Sequence, residues 1–298
     1  MPRENAQQRR RRTSALSGIT NFRTDFNYIC KRHPERIGIV AEGDSWFAYP
    51  RKWLALGPSI NVVQHITKLT SGTDTTNLLC MASNGDEAVN MMSGKQKENL
   101  ENVLKKNAKY IKLILFSGGG NDIVGKRDML ALLNEYEDSF TAEQCINRVG
   151  FAKKLDAVML AFDQLVDLRD RYTPNATIIT HSYDIAKPSK DGATFFWGLI
   201  KTKPWIHPYL TKLKIPESLH QGVVELLLGT FKDRLHAFTQ LDEHKDKIIM
   251  VDTQGILEPG NKKDWLNEIH PTESGFKRIT QPIYAEMVQL EPGLPEWI

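Results

Sequence analysis

Short apolar runs recur along this chain, each followed by a polar stretch, and longer segments with apolar residues at helical spacing lie between them. The runs are Ile37–Ala41, Asn77–Ala82, Ile111–Phe116, Thr177–His181 and Lys247–Val251. Near-continuous apolar runs of this length read as strands buried on both faces. Helical spacing is predicted over Ile19–His33, which stops at Pro34, and over Ser59–Leu69 through Ile60, Val63 and Ile66. A charged helix is expected over Lys95–Asn107, and a long one carries Val149, Ala152, Leu155, Val158, Met159, Phe162 and Leu165 up to a turn at Pro174. Further helices are expected over Glu217–Asp242 and Thr272–Leu290, and Trp46–Pro58 reads as a loop. Strands alternating with helices of this length predict a parallel sheet covered on both faces. The expected fold is therefore an α/β class, three-layer α/β/α sandwich, doubly wound around about five strands, in one domain over residues 19–298. The stretch near residues 185–215, proline-rich and aromatic, fits neither period and reads as an insertion over the carboxyl edge of the sheet.

Composition changes this picture little. Of 298 residues, 41% are hydrophobic and 25% charged, ordinary values for a globular protein. The formal charge of +3 originates at one end, where residues 1–12 hold Arg3 and Arg9–Arg12 against one acid, Glu4. Residues 1–18 therefore read as a disordered basic tail, and the remainder lacks the basic face that specific nucleic-acid binding requires. No apolar segment follows the arginines, so neither a signal peptide nor a transmembrane helix is expected, and a cytoplasmic location is. Cys30, Cys80 and Cys145 have no metal-ligand spacing and no disulfide pattern.

Chemistry enters through the strand ends. In a parallel sheet the carboxyl ends share one edge, where ligands bind. After the first run comes Gly43-Asp44-Ser45, which alone reads as a strand-to-helix turn with Asp44 or Ser45 as N-cap. The second run leads to Gly85, whose N–H can approach a ligand without a Cβ in the way. The third leads to Asn121 after Gly118-Gly119-Gly120, without the lysine that a phosphate loop needs. Beyond the fifth lie Asn267, Glu268 and His270 before Pro271. A serine hydroxyl, a histidine base and three N–H donors (Ser45 and Gly85 backbone, Asn121 amide) are the parts of acyl transfer. His181, at the end of the fourth run, reads as a structural hydrogen-bonding histidine.

Gly43-Asp44-Ser45, Ala82-Ser83-Asn84-Gly85-Asp86, Gly119-Gly120-Asn121-Asp122 and His270-Pro271 resemble, in order and placement, the four blocks of the SGNH (GDSL-type) serine hydrolases. The likeness spans about residues 37–288. It implies a flavodoxin-like sandwich, Ser45 as nucleophile, His270 as base, an oxyanion hole from Ser45, Gly85 and Asn121, and no metal or organic cofactor. The implied partner is a small-molecule or acylated substrate, cleaved at a carboxylic ester through an acyl-enzyme.

One position departs from that pattern. Three residues before the histidine the family carries an aspartate, and here stands Asn267. Three readings follow: Asn267 orients His270 without a charge, Asp264 or Glu268 supplies the acid, or the enzyme is slow. A weak or inactive binding module for a carbohydrate or lipid is the alternative to an enzyme. A nucleotide-binding reading is disfavoured by Asp44, which stands where a phosphate would sit. The aromatics Phe195, Phe196, Trp197 and Trp205, with His207, Pro208 and Tyr209, either roof the site or pack the insertion onto the body.

Overall fold

The computed structural model describes residues 5–49, 61–125, 128–190, 194–195, 200–201 and 204–297. Its strands are β1 (Ile19–Thr20), β2 (Ile37–Gly43), β3 (Thr76–Cys80), β4 (Ile111–Ser117), β5 (Thr177–His181), β6 (Thr194–Phe195), β7 (Ile200–Lys201) and β8 (Ile248–Val251). Six of them form one sheet in the order β1-β3-β2-β4-β5-β8, every pair parallel, while β6 and β7 make a small antiparallel pair in the insertion. The helices Arg23–Arg32, Gly94–Asn107, Arg148–Tyr172 and Glu217–Thr239 pack in series on one face, and Val62–Thr70 packs against Glu273–Leu290 on the other. This is the expected α/β/α sandwich, with one strand more.

The central strand is β2. Its residues from Gly38 to Gly43 are buried, as an apolar run between two strands and two helix layers must be. From β2 the chain steps out to β3 and then crosses back to β4 on the other side of β2. The carboxyl end of β2 is thus the point where strand order reverses, the place where open α/β sheets bind ligands. Gly43 is required there by close approach. A Cβ on it would lie 2.8 Å from both the Cβ and the carbonyl oxygen of Ser117 in β4.

The amino-terminal expectations need two corrections. The segment expected to be a disordered tail contains a helix, Ala6–Ser17, begun by a capping box between Asn5 and Gln8. Arg10 is engaged: it makes two hydrogen bonds to the buried carboxylate of Asp25, and its guanidinium lies 4.0 Å from the Phe22 ring centre. Burial alone would raise the Asp25 pKa, but the Arg10 hydrogen bond and charge outweigh it and hold it low. The helix expected over Ile19–His33 is shorter, Arg23–Arg32, because Ile19 and Thr20 pair with Leu78 and Leu79 as the edge strand β1. Much of the loop expected over Trp46–Pro58 lies outside the described residues, but its start is a helical turn, Ser45–Ala48. All three cysteines are free and buried. Among the described residues, no helix is long and apolar enough to cross a membrane.

Candidate active site

Asp44 is the residue that caps the turn after β2. Its Oδ1 accepts the Trp46 N–H at 2.9 Å, so the N-cap belongs to Asp44 and leaves the Ser45 hydroxyl for another partner. The same carboxylate accepts the Ser117 hydroxyl at 2.8 Å and, on Oδ2, the Tyr183 hydroxyl at 2.8 Å. Asp44 thereby fastens the β2 end to the ends of β4 and β5. Burial pushes its pKa up to about 7, and those three hydrogen bonds work against the rise. His181 completes this network. Its Nδ1 accepts the Tyr183 N–H at 3.2 Å, so the ring proton is on Nε2, which donates to Ser117 Oγ at 3.0 Å. Burial lowers its pKa to about 3 and keeps it neutral. It is the structural histidine that its position suggested.

Ser45 and His270 meet across 225 residues of sequence, with Oγ 2.8 Å from Nε2. On the other side of the ring, His270 Nδ1 lies 3.1 Å from Asn267 Oδ1. That oxygen also receives the backbone N–H groups of Ile269 at 3.0 Å and His270 at 2.9 Å. Only the carbonyl end of an amide can accept these two donors, so the Asn267 side chain has one orientation. The Nδ1 of His270 must then carry the proton, and Nε2 presents its lone pair to the Ser45 hydroxyl. The ring is held further by Tyr49, stacked at 3.9 Å and 10°, and by Trp205, edge-on at 5.6 Å and 87°. Trp46 ties the Ser45 and His270 segments together by donating from Nε1 to the Ile269 carbonyl at 3.1 Å. His270 is buried with no carboxylate at its Nδ1, and burial takes its pKa down to about 3.

The two other acids considered for that place are occupied. Asp264 accepts from Arg278 at 2.7 Å and from the Glu258 N–H at 2.9 Å. Glu268 is a hub for four backbone donors. Its Oε1 accepts the N–H groups of Ser189 at 2.9 Å and His207 at 3.0 Å, and its Oε2 those of Ile206 at 3.0 Å and Trp205. Both carboxylates are spent on structure.

Asn121 donates from Nδ2 to the Asp86 carbonyl at 2.9 Å, which leaves the second amide proton unspent. Its neighbour Asp122 is buried and accepts the N–H groups of Ala88 at 2.7 Å and Val89 at 3.4 Å. Burial raises the Asp122 pKa to about 6. The β3 and β4 loops are therefore cross-linked at two successive residues. Ser45 and Asn121 line one cavity together. Gly85 stands at the exposed rim of the β3 loop beside Asp86, and the cavity walls do not include it. Its φ of 79° explains the glycine; a Cβ there would meet nothing within 4 Å, so space is not the reason. Of the aromatics in the insertion, Trp205 reaches His270, whereas His207 packs edge-on against His220 at 5.3 Å. Tyr209 packs on the core, and the side chains of 195–197 lie outside the described residues. Among the described residues no group of three or more His, Cys, Asp or Glu side chains is placed to hold a metal ion.

Sequence reasoning missed Tyr49, Asp122 and the hub role of Glu268. Asp122 carried a readable signal, as an acid one residue beyond Asn121 on the same glycine-rich turn. Tyr49 and Glu268 carried none, because their partners are distant backbone and ring atoms.

The strand order, with a serine after the central strand and a histidine before the last helix, makes an α/β/α sandwich whose fold is shared with solved SGNH hydrolases and lipases. Among solved structures that share it are an extracellular lipase from Streptomyces rimosus and an SGNH-type hydrolase from Slackia heliotrinireducens. The first is 16% identical, with a TM-score of 0.51 over 84% of this chain and 99% of that one. The second is 9% identical, with a TM-score of 0.50 over 85% and 99%. No protein-family profile and no curated protein sequence matches the chain.

Proposed function

We propose that this protein is a serine ester hydrolase that works through an acyl-enzyme. The observation that carries the reading is the 2.8 Å contact between Ser45 Oγ and the unprotonated Nε2 of His270. In the forward step His270 Nε2 takes the hydroxyl proton while Oγ bonds to the ester carbonyl carbon. The carbonyl π electrons move to oxygen, where the Ser45 N–H and the Asn121 amide, on the wall of one cavity, receive the charge, with the Gly85 N–H at the rim as the third donor. As the C–O bond to the alcohol breaks, the Nε2 proton passes to the leaving oxygen. Water then repeats the sequence on the acyl-enzyme, returning Ser45 and releasing the acid. The lipase and hydrolase that share the fold support an ester as the substrate.

The test is hydrolysis of p-nitrophenyl acetate together with fluorophosphonate labelling and mapping of the labelled peptide. Turnover and a label on Ser45 are expected. An unlabelled Ser45 and a background rate would turn the reading to a binding module.

Asn267 sets the pH behaviour. In serine proteases, asparagine in place of the triad aspartate costs about 10⁴ in turnover through the wrong histidine tautomer. Here Asn267 accepts from Nδ1 and the tautomer is right, so only the carboxylate's charge is missing. With the His270 pKa near 3, the base is unprotonated far below the usual histidine range. Turnover should therefore hold from pH 7 to about pH 5, where a carboxylate-paired histidine would already be protonated. Asn267→Asp should raise kcat/KM at pH 7 by roughly 10-fold and move the acid limb upward toward pH 6–7. A pH–rate profile of both proteins checks this, and a large loss in the variant would show that the amide itself is needed.

A further inference from the structure

Proton transfer from Ser45 turns a neutral pair of side chains into a charged one. When Nε2 takes the hydroxyl proton, His270 holds a proton on each ring nitrogen and carries a full positive charge. That charge forms on a side chain only 3% exposed, where a lone cation is costly. Asn267, at Nδ1, offers a dipole but no counter-charge. Asp264 and Glu268, the acids nearest in sequence, are spent on Arg278 and on backbone N–H groups. The imidazolium needs another partner.

Tyr49 is placed to be that partner. Its ring centre lies 3.9 Å from that of the imidazole and the two planes are 10° from parallel, so the face of the phenol covers the histidine. The face is the negative part of an aromatic quadrupole. A planar cation within about 6 Å of the ring centre is attracted to it, more strongly when both are withdrawn from water. Tyr49 is itself 7% exposed, so water screens neither ring. A neutral imidazole in the same stack gains much less. The attraction therefore grows as the proton moves, which is the condition for lowering a barrier. The backbone fixes this pose. The Tyr49 N–H donates to the Ser45 carbonyl at 2.7 Å, and the Tyr49 carbonyl accepts from Asn61 Nδ2 at 2.9 Å. Its hydroxyl faces the Asn267 side chain. The residue that closes the Ser45 turn is thus the one that covers His270.

We propose that the face of the Tyr49 ring stabilises the His270 imidazolium by a cation–π contact, taking over the electrostatic role that a carboxylate at position 267 would have. The inference rests on the ester-hydrolase reading above, and Tyr49 acts in it through His270 and not on the substrate.

The experiment replaces Tyr49 by phenylalanine and then by 4-fluoro-, 3,5-difluoro- and 3,4,5-trifluorophenylalanine, in the wild type and in Asn267→Asp. Turnover of p-nitrophenyl acetate is measured against Ser45→Ala, with a melt on each protein. Fluorine drains negative charge from the ring face while altering the ring's shape little. Tyr49→Phe should keep kcat within about 3-fold of the wild type. Along the fluorinated series kcat should then fall stepwise, by about 10-fold at the trifluoro ring, with KM and melting temperature steady. In Asn267→Asp the carboxylate neutralises the imidazolium, and the same fall should shrink to about 2–3-fold. Should the heavier rings lower the melt, Tyr49→Phe against the 4-fluoro ring decides the sign. A flat kcat across well-folded members overturns the proposal, while turnover that depends on Ser45 keeps the hydrolase reading. An equal fall in both backgrounds also overturns it, because the ring would then not be replacing the missing carboxylate. Turnover no higher than that of Ser45→Ala in every protein overturns the hydrolase reading and this proposal with it.

Discussion

Replacement of Ser45 by alanine is expected to lower ester turnover by about 10⁴-fold or more, down to the background rate of the ester in buffer. The magnitude follows from the loss of the atom that forms the acyl-enzyme in the proposed mechanism. The substitution is structurally mild. Capping of the Ser45–Ala48 turn is done by Asp44, and the hydrogen bond that Oγ makes is to His270 Nε2. The Asp44 contacts to Ser117, Tyr183 and the Trp46 N–H do not involve it. Thermal melting should therefore stay within about 1–2 °C of the wild type while turnover collapses. Steady-state kinetics and a melt on the same preparation check both halves. A variant that retained a tenth of the activity would place the nucleophile elsewhere.

The second large effect is expected at Glu268, and its main readout is stability. The carboxylate is 2% exposed and satisfies four backbone N–H groups from two separate pieces of chain, Ser189 and Trp205–His207. Glu268→Ala takes the carboxylate acceptor from the buried Ile206 N–H and from the part-buried N–H groups of Ser189, Trp205 and His207. Each such group costs about 1–3 kcal/mol, with entering water recovering part, so a net loss of roughly 3 kcal/mol or more is expected. That corresponds to a fall in melting temperature of roughly 6–12 °C for a chain of this size. Activity should also fall, by about 10-fold, because Trp205 is held against the His270 ring through the same carboxylate. Glu268→Gln keeps one acceptor oxygen and should lie between the two. A full-strength wild-type melt in Glu268→Ala would show that the hub carries no weight.

The contrast between these two positions shows what could be read from the chain. Ser45, Asn121 and His270 stand just past apolar runs or just before a helix, and a parallel sheet must gather such positions at one edge. The same logic recovered β5, bounded as expected at Thr177–His181, because its apolar pattern and flanking turns are both local. Where partners are distant, the chain was silent. Glu268 looks like a spare acid beside a histidine until four N–H groups from 61 to 79 residues away are found on it. The Ala6–Ser17 helix was illegible for a related reason. A run of arginines has the composition of a solvated tail, and the acid that seats Arg10, Asp25, lies 15 residues on, in another helix. Two residues, Ile19 and Thr20, are too few to display a strand period, so β1 emerges only from its pairing with β3. Asn267 was legible as a departure, but its orientation rests on two backbone donors that no spacing reveals.

The 225-residue gap between Ser45 and His270 bears on when the protein becomes competent during folding. The Ser45 turn is locked by Ser117 and Tyr183, 73 and 139 positions from Asp44, and His270 arrives from still further along the chain. Contacts of such long range form late, because each must close a large loop before it gains anything. In a refolding experiment, recovery of turnover should trail recovery of helical circular dichroism and coincide with the slowest phase of tryptophan fluorescence, since Trp46 reports the docking of Ile269. Turnover appearing together with the early helical signal would mean that the serine and histidine find each other before the sheet between them is complete.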